Sequence, residues 1–341
     1  MKKAIVVLRK SWKNPYVREY LKDYDSVVIY KSEKNIRYHK PVDYFFWAND
    51  IHNDFVAKYR HESNFFFFED GFIRSSGLGA DHIRPLSLVF DSQGIYYDSS
   101  CASDLESIIS HYELTPDEYE RARALKTLLI EHRVNKYNID LSIKPTIESN
   151  GQKTILVVGQ VESDHSILRG ASLVQTNEKL LALVRENNPQ SFIIYKPHPD
   201  TLVSARPGAV KEDCFYDQLV EKGSILDIFG QVDEVHTITS LAGFEALLRD
   251  IPVFTYGMPF YAGWGLTHDH YTCSRRERRI DLETLLFCAL VKYPVYAGND
   301  GQPCEVEEII HLISKEDHQV SFSTKLLRTK RNFLKFLGFK F

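Results

Sequence analysis

The sequence predicts an α/β protein of two domains, each built on a mostly parallel sheet. Three observations predict it. The chain has 341 residues, more than one ordinary domain holds. Short apolar runs without polar alternation recur along it, as in strands covered on both faces. Longer stretches with helical spacing separate many of these runs, and that alternation builds parallel sheets.

The expected strands are residues 4–8, 26–30, 44–47, 65–68, 154–158, 192–195, 234–238 and 253–256. The expected helices are residues 103–130, 176–187, 241–249 and 282–291; Pro252 disfavours helix at the residue before it. Residues 86–98 read as a β-hairpin around Asp91-Ser92-Gln93-Gly94. The stretch 132–153 is polar, contains Pro145 and Gly151, and lacks periodicity, so it reads as a linker. It divides an N-terminal domain, residues 1–145, from a C-terminal domain, residues 150–315, with a cleft expected between them.

Composition narrows the function classes. Forty-two Lys and Arg against 46 Asp and Glu give a formal net charge of -4, unlike a dedicated nucleic-acid coater. The basic cluster Arg275–Arg279 reads as a solvated loop. Five scattered cysteines lack metal-site spacing and suit a reducing compartment. The first apolar run ends after five residues, too short for a signal peptide, and none approaches the roughly 18 residues that span a bilayer. A cytoplasmic protein is expected. Residues 318–341 carry six basic and no acidic side chains, with apolar residues at near-helical spacing. That pattern suits an anionic membrane surface or a helix docked on the protein.

The strand ends carry the chemistry. Four runs deliver polar groups: Glu69-Asp70-Gly71, Gly159-Gln160-Val161-Glu162-Ser163-Asp164, Lys196-Pro197-His198-Pro199 and Thr239-Ser240. Ligands of open parallel sheets bind outside the carboxyl ends of strands, so Glu69, Asp164, His198 and Ser240 are expected at one cleft. Each also has an ordinary reading. Glu-Asp-Gly is a common turn, and Asp164 and Ser240 are good helix N-caps. Phe260-Tyr261-Ala262-Gly263-Trp264-Gly265 is either a packed loop or an aromatic platform for a sugar or base.

These motifs, with Glu69-Asp70-Gly71-Phe72-Ile73-Arg74, Arg84-Pro85-Leu86-Ser87-Leu88 and the run Glu234–Leu247, closely resemble the KpsC-like capsule β-Kdo transferases. The resemblance runs from about residue 65 to about residue 296. It implies a GT-B-type fold, two Rossmann-like domains facing across a cleft. It implies transfer of Kdo, an acidic eight-carbon keto sugar, from CMP-Kdo to a lipid-linked or surface-glycan acceptor with retention, at the inner face of the bacterial inner membrane and in company with other capsule assembly proteins. Capsule proteins of this type often carry two such modules, and this chain is long enough for one.

Retention is most simply two inversions, which need a carboxylate nucleophile and a second group acting as acid and base. On the resemblance, Asp164 is the expected nucleophile and Glu69 the general base, with Asp70 a close alternative. His198, Ser240 and Thr239 are expected at the CMP phosphate, and Lys196 and Glu245 on the donor side. Gln160 and Glu162 are expected to line the sugar site. Arg74 or Arg84 would pair with the Kdo carboxylate, and Tyr261 and Trp264 would stack on sugar or acceptor. One phosphate met by His, Ser and N–H groups needs no metal, so no cofactor is expected. Two other readings stand beside this one: a transferase for another CMP-activated keto acid such as sialic acid, and a non-catalytic glycan-binding subunit of the capsule machinery.

Overall fold

The computed structural model describes residues 2–37, 42–50, 53–77, 82–136, 138, 143–203, 207–210 and 215–315. The basic tail 318–341 and one of the five cysteines, Cys214, lie outside the described residues.

Two six-stranded sheets form the molecule. The first holds β1 (Lys3–Val7), β2 (Ser26–Tyr30), β3 (Asp43–Trp47), β4 (Phe65–Asp70) and β5 (Ser87–Asp91). The second holds β6 (Thr154–Val158), β7 (Phe192–Lys196), β8 (Gln218–Leu219), β9 (Glu234–Thr237), β10 (Val253–Thr255) and β11 (His268–Asp269). Its order is β11-β10-β9-β6-β7-β8, and every pairing is parallel. A late strand, β12 (Pro294–Tyr296), returns to the first sheet, whose order is β12-β5-β4-β3-β1-β2. Residues 150–315, expected as one domain, therefore do not all belong to the second sheet.

The apolar runs explain the sheets. Ile155, Leu156 and Val157 have no exposure, as a strand covered on both faces requires. The eight expected strands all form, each within two residues of its expected ends. Three local readings change. Residues 103–130 form two helices, Asp104–His111 and Pro116–Glu131, because Thr115 and Glu118 close a reciprocal capping box with Pro116 in the first turn. The hairpin at 86–98 does not form: β5 pairs antiparallel with β4 and β12 instead. Asp91 closes the turn after β5 by accepting the N–H groups of Gln93 and Gly94 on Oδ1. The helix expected to run to residue 291 ends as Leu282–Phe287, and a wider π turn, Cys288–Lys292, leads the chain into β12.

The two halves share one apolar seam. Phe72 of the first domain packs 4.5 Å, centroid to centroid, from Phe260 of the second, and Tyr96 and Tyr293 close around them. The basic cluster is part of this seam and not a solvated loop. Glu106 in the first domain receives Arg275 Nε at 2.6 Å and Arg276 Nε at 2.9 Å. Buried Arg276 also donates to the carbonyls of Pro259 and Ala262, and Arg278 donates to those of Ile109 and Tyr112. Three of the clustered arginines thus tie the halves together. Among the described residues no helix is long and apolar enough to cross a membrane.

Candidate active site

β4 ends in two carboxylates with opposite environments. Asp70 accepts Lys13 Nζ at 2.6 Å on one oxygen and Arg74 Nε at 2.8 Å on the other. Both cations are buried. Lys13 also sits 3.9 Å from the ring centroid of Trp47. Burial opposes the charge of Asp70, but Arg74 and Lys13 outweigh it and hold its carboxyl well below the usual range. Half-buried Glu69 receives the Asp70 N–H at 3.0 Å. Burial first, and the neighbouring Asp70 charge second, raise its carboxyl to about 7. Lys13 and Lys136 act against that rise.

A pocket opens at the carboxyl ends of β6, β7 and β9. Gly159, Lys196, His198, Ser240 and Glu245 line it from the second domain, and Asn135 and Lys136 close it from the segment that joins the sheets. Gly159 follows β6 directly, where an added Cβ would lie 2.5 Å from the Tyr195 hydroxyl. Lys196 reaches the carbonyls of Val220 and Glu221 at 3.3 and 3.2 Å. His198 Nδ1 accepts the Asp200 N–H at 3.1 Å, so the neutral ring carries its proton on Nε2. Ser240 caps the helix Leu241–Leu247 through the N–H of Ala242. Glu245 accepts the Lys136 N–H at 3.1 Å, and burial raises its carboxyl. The Lys136 carbonyl accepts the Arg74 N–H at 3.3 Å while its own N–H goes to Glu245, which ties the segment after β4 to this pocket.

Asp164 stands exposed at the start of the helix His165–Gly170, where Oδ1 accepts the Ser166 N–H at 2.9 Å. The helix it caps meets the first domain, where the Ser99 hydroxyl donates to the Arg169 carbonyl at 3.2 Å, and Asp164 is not among the residues that line the donor-side pocket. Buried Tyr97 feels both charges: its hydroxyl is raised by burial and then by Glu69 and, more weakly, Asp164.

Other expected contacts go elsewhere. Arg74 is fully buried and committed to Asp70, Ser75 and the Ile83 carbonyl, so it has no face for a sugar carboxylate. Arg84 pairs with Glu19 and donates to the Asn299 carbonyl at 3.1 Å. Gln160 is buried and exchanges hydrogen bonds with Thr239, donating to its hydroxyl and accepting its N–H. That exchange uses both side chains to join the β6 and β9 loops. Glu162 holds the Asn177 N–H at 2.9 Å. Tyr261 and Trp264 have no exposure: Tyr261 donates to the Ser240 carbonyl and Trp264 to the Phe260 carbonyl. Of the two readings of that loop, the packed one holds. Tyr261 still serves the pocket indirectly, since it braces the backbone of Ser240.

Sequence reasoning missed Lys13, Asn135 and Lys136. Lys13 lies ten residues beyond the start of β1 with nothing local to mark it. Asn135 and Lys136 fall in the stretch read as linker. Their only signal was proximity to the domain junction.

Two Rossmann-like sheets, with carboxylates at the end of β4 and a pocket at the strand ends of the second sheet closed by the joining segment, define a GT-B-type fold. The family model described as capsule polysaccharide biosynthesis protein matches residues 49–298, and the chain belongs to that family. Over 231 residues it is 45% identical to the capsule polysaccharide modification protein LipA of Neisseria meningitidis serogroup A, covering 67% of this chain and 33% of LipA. The chain thus spans about a third of that relative's length. Two solved structures of Thermosulfurimonas dismutans KpsC are similar throughout. One, a beta Kdo 2,7 transferase, has 34% identity and a TM-score of 0.75, with 92% of this chain and 99% of that chain covered. The other, a beta Kdo 2,4 transferase, has 31% identity and a TM-score of 0.79, with 91% and 98% covered.

Proposed function

We propose that the chain is a retaining β-Kdo transferase that moves Kdo from CMP-Kdo to a glycan acceptor of capsule synthesis. The observation that carries the reading is the divided pair at the end of β4. Asp70 is locked as a counter-ion, while Glu69 beside it is held near neutrality. A carboxyl there suits proton transfer at the pH of a cell. The likeness to the two KpsC Kdo transferase domains supplies the sugar.

In the proposed reaction CMP-Kdo lies in the pocket of Lys196, His198 and Ser240. Asp164 attacks the anomeric carbon as the bond to the phosphate oxygen breaks, and CMP leaves with that electron pair. His198, protonated on Nε2, and Lys136 and Lys196 offset the charge gathering on the phosphate. Glu69 then takes the proton of the acceptor hydroxyl. The acceptor oxygen attacks the same carbon, and the ester to Asp164 breaks to restore its carboxylate. Two inversions give retention. These donors meet one phosphate without a metal, so transfer is proposed to persist in excess chelator. The acceptor is proposed to be lipid-linked, with the enzyme peripheral on the inner membrane face.

Incubation with CMP-Kdo and a synthetic Kdo-terminated acceptor, read by mass spectrometry and by NMR of the product anomer, tests this. Retained β-linked Kdo is expected. Transfer from CMP-sialic acid in preference to CMP-Kdo would refute the donor assignment, and binding without turnover would refute the enzyme.

A further inference from the structure

A second cavity, of about 590 Å³, lies on the seam between the halves and shares no residue with the donor pocket. Its walls are the turn at residues 99–100, the end of the helix that Asp164 caps, and the loop at residues 271–275. The cations on it differ. Arg275 is committed to Glu106 and to the carbonyls of Ser99 and Cys101. Arg169 makes no side-chain hydrogen bond or ion pair with any described residue. Around it, the hydroxyls of Ser172, Thr272 and Ser274 are likewise uncommitted among the described residues, and Leu168 adds an apolar face. One unpaired guanidinium among free hydroxyls, beside an apolar surface, is the chemistry that holds an acidic sugar.

Its position fits the reaction. The helix from His165 to Gly170 spans about 9 Å, so the cavity starts one short helix from Asp164. Gly170 sits against the Tyr97 carbonyl, which an added Cβ would approach to 3.3 Å, and the Ser99 hydroxyl donates to the Arg169 carbonyl at 3.2 Å, so the helix that Asp164 caps and the cavity meet on the same first-domain turn. We infer that this cavity is an acceptor subsite that binds an acidic sugar of the growing glycan, with Arg169 on its carboxylate. The inference rests on the transferase reading and deepens it by naming where the acceptor chain lies.

The test has a binding arm and a kinetic arm. In saturation-transfer NMR, the wild-type chain binds the methyl glycoside of a Kdo disaccharide, and Arg169→Ala weakens that binding about tenfold or more, the loss of a charged hydrogen bond. Arg169→Lys recovers part of it, since the point charge returns without the planar fork. In transfer assays Arg169→Ala raises the KM for the acidic acceptor by a similar factor, while the KM for CMP-Kdo stays unchanged. A neutral disaccharide of the same size is indifferent to the substitution. Equal binding by the wild-type chain and Arg169→Ala, equal losses for acidic and neutral ligands, or displacement of the disaccharide by equimolar inorganic phosphate would each overturn the subsite. Absence of turnover from any CMP-sugar would refute the transferase reading, and the binding arm would still decide the cavity.

Discussion

Replacing Glu69 by Gln should stabilise the protein while stopping transfer, and the gain should grow with pH. Burial and the Asp70 charge raise this carboxyl from 4.5 to about 7. A carboxyl raised by folding binds its proton more tightly in the folded chain. Its cost to stability is therefore small below the unfolded value and complete above the folded one. With 1.36 kcal/mol for each pH unit, the cost is roughly 1 kcal/mol near pH 5 and about 3 kcal/mol near pH 8.5. Gln is close in shape and carries no charge, so Glu69→Gln removes that cost. The denaturation midpoint of the variant minus that of the wild type should rise with pH up to about 7 and level off above it. In the same preparations, transfer should fall by about 10² to 10⁴, and the wild-type rate should climb through about pH 7 as Glu69 loses its proton. A midpoint difference that is already flat below about pH 7, or that shrinks as pH rises, would refute the electrostatic account of the pair.

Three further substitutions separate structure from chemistry. Trp264→Ala should cost about 3–5 kcal/mol of stability, as a buried ring does; an acceptor KM that rises in a variant of unchanged stability would return the ring to the site. Arg276→Ala strips partners from Glu106 and two carbonyls and should cost about 3–5 kcal/mol, while exposed Arg279→Ala should stay within about 0.5 kcal/mol. Similar midpoints for the two would remove the seam argument. Gly159→Ala must displace the Tyr195 hydroxyl, 2.5 Å from the new methyl, and should cost about 1–3 kcal/mol and weaken CMP binding by calorimetry; unchanged affinity would show that the pocket wall does not depend on that approach.

Much of this was legible in the sequence because buried parallel strands write themselves as apolar runs. β2 and β6 have the expected bounds because Ser26-Val27-Val28-Ile29-Tyr30 and Thr154-Ile155-Leu156-Val157-Val158 stand between polar turns. Of the four strand-end groups expected at one cleft, His198 and Ser240 share a pocket with Lys196 and Glu245, and Glu69 and Asp164 are not among its lining residues. What stayed hidden depends on distant partners. Nothing beside Asp70 in the chain says that Lys13, 57 residues earlier, pairs with it. Nothing in Arg275–Arg279 says that Glu106, some 170 residues earlier, receives two of its guanidinium groups. β12 is three residues long, and its return to the first sheet is fixed by pairing with β5 and not by a pattern of its own. Aromatic side chains misled in a different way. Tyr261 and Trp264 have the composition of a sugar platform, but the loop turns them inward, where each has a carbonyl for its polar tip.

The most direct test is the intact mass of the Glu69→Gln chain after mixing with CMP-Kdo in the absence of acceptor. The account predicts a gain of one Kdo residue with stoichiometric release of CMP, mapped by peptide digestion to Asp164 and absent from the double variant that also carries Asp164→Ala. CMP release with no added mass, or an adduct that survives the loss of Asp164, would contradict it.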